Sequence, residues 1–448
     1  QKGRCDRFTG RSEMANVLRT RPNELDGSGR SIRNSKNMNR IALVMGRGIE
    51  GCGVTKFTLE QARWFKKNDF DVTIFASGDK VWTRAKSHVT DAVKLVRFAD
   101  DVEAEQLTRT IDADFDVMIV NSLPGRPTNQ TAGSDEAVIK NFIKVIESVK
   151  VPMVLIQHDH TNISIKRSAG ISEAINRANA IFVHSVTNDF GVMVDETLNR
   201  DGLASFFGDV SETPVFGFQP AMDFDHCRDS YATDDQPRLN EHKWIGRTTS
   251  WKGYQQMFRY HEQYLRPNGH ITMLEGIERS IALVDVRKAF TFIEHPPNAS
   301  DRTGDLNIQE GDHAHVFGPY NHDKMLKRMA RVGFGYQLSI LKPRFIERSI
   351  EYTHCEVVCT GTVPVFRKEY GERCTHRSQN KPLIECEGNG TIWLGDDNGE
   401  ECWEEMKRIN GDPALRRAKT AEAFKFYRDH QDSEFGFSEM WKKITDNV

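Results

Sequence analysis

Four groups of residues in this chain have types and spacings that could do chemistry. The loop 46–53 reads GRGIEGCG, directly after an apolar run at 41–45 and directly before a helical stretch. Gly46, Gly48 and Gly51 stand at the spacing that lets backbone amides at a helix N-terminus approach a phosphate. Arg247 and Lys252 follow in GRTTSWKG, again between a strand and a helix. A guanidinium fork beside an ammonium point charge suits a diphosphate that gains negative charge as it departs. Glu356 precedes the turn CTGTVPVF, where a carboxylate can accept hydrogen bonds from both hydroxyls of a ribose. The segment QHDH at 157–160 follows an apolar strand, which makes His158 and Asp159 candidates for a reacting centre that must take a proton and stabilise positive charge. Glu60, His184 and Ser185 are weaker candidates of the same kind.

Other spacings carry less. The glycine loop alone also fits a dinucleotide-binding oxidoreductase, which would want an acidic residue closing the second strand, and only Asp79 is near. His354, Cys355 and Cys359 are the nearest approach to a metal cluster and lack a second ligand pair. Asp69-x-Asp71 and Asp114-x-Asp116 look like carboxylate pairs for a divalent cation, but both precede their strands and therefore belong at the amino ends of a sheet.

Positioning these groups requires parallel sheets. Apolar runs at 41–45, 71–75, 117–121, 151–157 and 180–185 alternate with helical stretches at 55–68, 135–149 and 172–178. A second series has strands at 243–247, 270–276, 313–318, 333–339 and 361–366, with helices at 251–265, 321–331 and 344–354. Strands apolar on both faces that alternate with helices imply a parallel sheet covered on both sides. The expected fold class is α/β, with two Rossmann-like doubly wound domains facing a cleft. Residues 1–37 read as a disordered N-terminal extension with Met38 as the native start, 38–220 as an N-terminal acceptor domain, 221–241 as a polar linker, 242–430 as a C-terminal nucleotide domain, and 431–448 as a C-terminal helix returning to the first domain.

Composition narrows the function classes. In 448 residues 38% are apolar and 28% charged, and no apolar run approaches the roughly 18 residues of a membrane span. The net charge of −3 hides ten Lys and Arg against four acidic residues in positions 1–40, so the body is mildly acidic. A protein that coats duplex DNA would show a basic excess, so any nucleic-acid contact must come from a local patch. Eight scattered cysteines without a CxxC pair point to reduced thiols.

Read in order, GIEGCGVTKFTLEQ, QHDH, FQPAMD, IGRTTSWKG, GIERS, GFGYQLS, RSIEYTH, GTVPVF and HQDSEF give a chain that resembles the phage DNA α-glucosyltransferases, within the two-Rossmann-domain (GT-B) glycosyltransferases, from about residue 39 to the C-terminus. The resemblance implies transfer of a sugar, with retention, from a UDP-sugar to the hydroxymethyl group of 5-hydroxymethylcytosine in phage DNA, with glucose as the expected donor sugar. It implies no obligatory cofactor or metal. Gly51 and Gly53 would lie over the donor, Arg247 and Lys252 would hold the diphosphate, Glu356 would bind the ribose, and Tyr336 would line the donor site. His158, Asp159 and Glu351 would be catalytic, although the second glutamate of the family pattern falls on Glu347 or Glu351, since Arg348 occupies its usual place. Lys166, Arg167, Arg279 and Arg344, with Arg348, would contact DNA. Implied partners are the UDP-sugar, double-stranded DNA containing 5-hydroxymethylcytosine and replication proteins of the phage, with no membrane, in the cytoplasm of an infected bacterium. The segment FTFIEHPPNASDRTGD at 290–305 departs from the glucosyl pattern and keeps UDP-arabinose open as a donor.

Overall fold

In the computed structural model, residues 38–46, 53–78, 92–125, 135–158, 169–184, 213–233, 235–246, 252–275, 314–317, 322–339 and 350–448 are described. The first strand, β1 (Arg40–Met45), shows why a layered α/β body forms. Ile41, Leu43 and Met45 enter one hydrophobic cluster while Ala42 and Val44 enter another, so the strand is apolar on both faces and needs helices on both. Those helices follow in sequence.

The N-terminal half runs β1, α1 (Gly53–Lys67), β2 (Asp71–Ser77), β3 (Val93–Val96), α2 (Asp101–Asp114), β4 (Val117–Ser122), α3 (Glu136–Ser148), β5 (Met153–Gln157), α4 (Ile171–Arg177), β6 (Ala180–His184) and β7 (Val215–Phe218). Its seven strands are all parallel in the order β3-β2-β1-β4-β5-β6-β7. Sequence order reverses between β1 and β4, and a crevice opens beyond the carboxyl ends of strands at such a switch point. Gly46 closes β1 there. Its amide donates to the Ser122 carbonyl at 2.7 Å, and a Cβ would overlap the Pro124 ring.

The C-terminal half continues through α5 (Phe224–Tyr231), β8 (Arg238–Ile245), α6 (Tyr254–Tyr260) running into a π turn at His261–Leu265, β9 (Ile271–Glu275), β10 (Ala314–Phe317), α7 (His322–Met329), β11 (Val332–Gln337), α8 (Tyr352–Cys359), β12 (Val363–Arg367), α9 (Lys368–Arg373), β13 (Ile392–Leu394), α10 (Gly399–Gly411), α11 (Pro413–Gln431) and α12 (Ser433–Asn447). Its six parallel strands are ordered β10-β9-β8-β11-β12-β13, with the switch between β8 and β11. Two doubly wound parallel sheets are therefore present, as the alternating pattern predicts.

Residues 221–241 are more structured than a polar linker. Asp223 caps α5 by accepting the His226 amide at 2.9 Å, Phe224 and Cys227 are buried, and β8 already begins at Arg238. Acidic composition concealed a capped helix with one apolar face. At the far end, α12 leaves α11 and lies on α1, with Phe437 against Phe57 and Trp64, and Trp441 against Phe65 and Phe70. Among the described residues no helix is long and apolar enough to cross a membrane.

Candidate active site

The β8/β11 switch point is built from three neighbouring pieces. Lys252 precedes the turn into α6. The next residue, Gly253, adopts φ +74°, and a Cβ on it would run into the Leu338 carbonyl just past β11. That contact brings the Lys252 backbone beside the carboxyl end of β11. From the other side comes Glu351, in extended conformation as the residue that caps α8. Lys252 Nζ donates to both Glu351 oxygens, at 2.6 and 2.5 Å.

Three further groups converge on that carboxylate. Gln337 Nε2, at the last position of β11, donates to Glu351 Oε2 at 3.3 Å and to Thr353 Oγ1 at 2.5 Å, the Thr353 hydroxyl donates to the same Oε2 at 3.4 Å, and the Tyr370 hydroxyl reaches Glu351 Oε1 at 3.4 Å. The Gln337 amide is itself oriented, because its Oε1 accepts from both the amide and the hydroxyl of Ser339. Burial pushes the Glu351 carboxyl up, but the Lys252 ammonium beside it more than offsets this and holds the group below its usual range. The result is an ionised pair fixed at a helix start on the carboxyl edge of a sheet, a setting where an anionic ligand gains from the ammonium and from the helix dipole.

The neighbouring glutamate does something else. Glu356, five residues on, is buried on another side of α8 and faces Lys56 of α1, with Nζ 3.6 Å from its Oε1. Lys56 also meets Glu60 at 3.1 Å, and Glu60 accepts from Arg63 at 2.8 Å and from the Asp223 amide at 3.1 Å. Burial alone would push the Lys56 ammonium down, yet the two carboxylates raise it, so it stays charged. Glu356 therefore ties the first turn of α1 to α8 across the two halves.

Tyr336 stands away from the Lys252–Glu351 pair. It is fully buried, and its hydroxyl lies 2.7 Å from His242 Nδ1 inside the layer of α6 and α10. Side chains alternate along β11, so the residue of GFGYQLS that faces Glu351 is its neighbour Gln337.

In the N-terminal half, His158 follows β5 with its ring edge-on to Phe57 and Phe218, at 4.8 and 5.2 Å between centroids. Gly53 is the exposed first residue of α1. His184 closes β6. Asp79, Gly48, Gly51, Asp159, Lys166, Arg167, Ser185, Arg247, Arg279, Arg344, Glu347 and Arg348 lie outside the described residues.

The possible metal residues separate. Asp116 accepts the Asn39 and Arg40 amides at 3.0 and 2.9 Å at the amino end of β1, on the side away from the switch point, and Asp69 and Asp71 sit at the amino end of β2. Cys355 donates to Gln431, Cys359 to the Phe224 carbonyl, and His354 packs between Phe366 and Tyr370. Among the described residues no three His, Cys, Asp or Glu side chains converge as a metal site.

The ion-pair joint gives a stability prediction. The Glu60 carboxyl is pushed up by burial but lowered further by Lys56 and Arg63, to about 2. A carboxyl depressed in the folded state contributes stability that is fully present above its unfolded value of 4.5 and is lost as pH falls toward 2. Glu60→Gln is expected to remove about 3 kcal/mol at neutral pH and to flatten this acid limb, as measured by urea unfolding from pH 7 to 3. A variant with the same slope as the parent would refute the assignment.

The sequence profile of the family described as DNA alpha-glucosyltransferase matches residues 52–414, most of the chain. The chain belongs to the DNA alpha-glucosyltransferase family. It is 37% identical over 412 residues to the DNA alpha-glucosyltransferase of Enterobacteria phage T4, covering 91% of this chain and 100% of that relative. Among solved structures it is similar to an alpha-glucosyltransferase in complex with UDP-glucose and DNA containing an abasic site, at 36% identity and TM-score 0.79, covering 91% of this chain and 99% of that one. An alpha-glucosyltransferase in complex with UDP and a 13-mer DNA containing a HMU base matches at 36% identity and TM-score 0.76, with the same coverage. Membership in this family sets aside the oxidoreductase reading of the Gly46 loop, and the two parallel sheets are those of a GT-B glycosyltransferase.

Proposed function

We propose that this protein transfers glucose from UDP-glucose to the hydroxymethyl group of a modified base in double-stranded phage DNA. The observation that carries the reading is the Lys252–Glu351 pair at the carboxyl-edge switch point of the second sheet, in a family whose solved members hold UDP-glucose, UDP and DNA. The C-terminal half takes the donor. Lys252, with Arg247, holds the diphosphate; Gln337 and Glu351 keep the ammonium aimed. DNA lies along the N-terminal half, with Lys166 and Arg167 of that half and Arg279 and Arg344 of the C-terminal half on phosphates and the base entering beside His158 and Asp159.

In the step itself the acceptor oxygen bonds to the anomeric carbon as the bond from that carbon to the UDP oxygen breaks. The hydroxyl proton passes to Asp159 or to the departing phosphate, and charge developing on UDP is met by Lys252 and Arg247. Retention of the anomeric configuration places donor oxygen and acceptor on the same face of the sugar. The donor is the only cosubstrate this scheme needs. On this reading the enzyme acts in the cytoplasm of an infected bacterium, where replication proteins of the phage are its neighbours.

Mass spectrometry of hydroxymethylated DNA after incubation with UDP-glucose should show a hexose added to each modified base. Enzymatic digestion and NMR of the product nucleoside should give the α-anomer. Addition of a pentose from UDP-arabinose in preference to the hexose would overturn the donor assignment, and a β-linked product would overturn retention.

A further inference from the structure

Gln431 has no role in the site so far, yet the motif that contains it, HQDSEF, is part of the family resemblance. It is the last residue of α11, fully buried, and every polar atom of its side chain is engaged. Nε2 donates to two carbonyls, Pro220 at 3.0 Å and Ile350 at 3.1 Å, and Oε1 accepts the Cys355 thiol at 3.1 Å. Its backbone carbonyl accepts the Met222 amide at 3.1 Å, and the Ser433 amide returns to the Met222 carbonyl at 2.8 Å.

These partners belong to three different pieces of chain. Residues 220–222 carry the chain from the first sheet to the second. Residues 431–433 carry it back, from α11 to the α12 that lies on α1. Ile350 immediately precedes Glu351, and Cys355 is on the turn of α8 that follows it. One amide thus joins both crossings between the halves to the segment that presents Glu351 to Lys252. Tyr352, next to Glu351, adds a second link by donating to the Ala221 carbonyl at 3.1 Å.

We propose that Gln431 is a positioning residue for the donor site: by holding Ile350 and Pro220 on one amide, it fixes the Glu351 carboxylate, and with it the Lys252 ammonium, relative to the two crossings. The aim of the diphosphate clamp then depends on how the halves are set. This rests on the reading of Lys252 and Glu351 as donor-binding. Methionine has nearly the volume of glutamine but leaves both carbonyls without a donor, so Gln431→Met tests the bonds and not the packing.

The measurement is UDP affinity by calorimetry on the full chain for the parent, Gln431→Met, Glu351→Gln and the double variant. Gln431→Met should weaken UDP binding about tenfold and raise KM for UDP-glucose while leaving KM for DNA unchanged. In the Glu351→Gln background the Gln431 change should add nothing, because the carboxylate it positions is gone. UDP affinity within twofold of the parent, or two effects that simply multiply, would overturn the proposal. Should Gln431→Met not fold, Tyr352→Phe, which removes one hydroxyl from the same link, must weaken UDP at least twofold, and unchanged affinity there overturns it equally. A parent chain that shows the coupling but transfers no sugar would refute the function proposed above and leave this inference standing.

Discussion

Lys252→Met combined with Glu351→Gln is expected to lower kcat/KM for UDP-glucose by about 10²–10³. The double change is the informative one. Lys252→Met alone strands a carboxylate that has the ammonium at 2.6 Å, and the loss would mix charge burial with lost phosphate binding. With Glu351→Gln beside it, neither charge is left unpaired. What remains missing is the fixed cation that meets negative charge growing on the leaving diphosphate, so kcat should fall as well as UDP affinity. Lys252→Arg is not expected to match the parent, since a planar fork paired bidentately with Glu351 presents its charge at a different place from one ammonium held between the two oxygens. Steady-state transfer to hydroxymethylated DNA, with circular dichroism to confirm folding, decides this. Parent-like kcat/KM in the folded double variant would remove Lys252 from the mechanism.

Gly253→Ala should be the most damaging small substitution in the second half. The residue sits at φ +74°, where an L side chain is strained, and its new methyl would overlap the Leu338 carbonyl, which is backbone and cannot swing aside. Strain and overlap together should cost about 4 kcal/mol, or roughly 10 °C in the unfolding midpoint of that half. Gly411→Ala is the control. It closes α10 with open space around it and should shift the midpoint by less than about 2 °C. Equal shifts in the two variants would contradict the close approach of the Lys252 turn to β11.

The parts of this fold that were legible in the sequence are those decided locally. β1, β4 and β5 carry apolar runs of four or five residues that pack on both faces, the pattern of a buried parallel strand. The edge strands β3 and β13 escaped because VKLV is half exposed and IWL spans only three residues, too short for a period to register. Within the site, the loop-to-helix position of Lys252 was legible for the same local reason. The face of Gln337 was not, since a motif read without its strand register cannot say which of two neighbours points inward. Lys56 and Gln431 were out of reach altogether, because their partners are Glu356 and Ile350, hundreds or tens of residues away and brought near only by the packed halves.

The return of α12 to α1 has a mechanical meaning. A chain that crossed once between its halves could swivel about a single strand of backbone, whereas two crossings bonded side by side, at Met222 and at Asp432, behave like a strap hinge. Such a joint bends about the line through its two leaves and resists torsion. A ligand gripped by both halves would therefore meet them at one fixed relative twist.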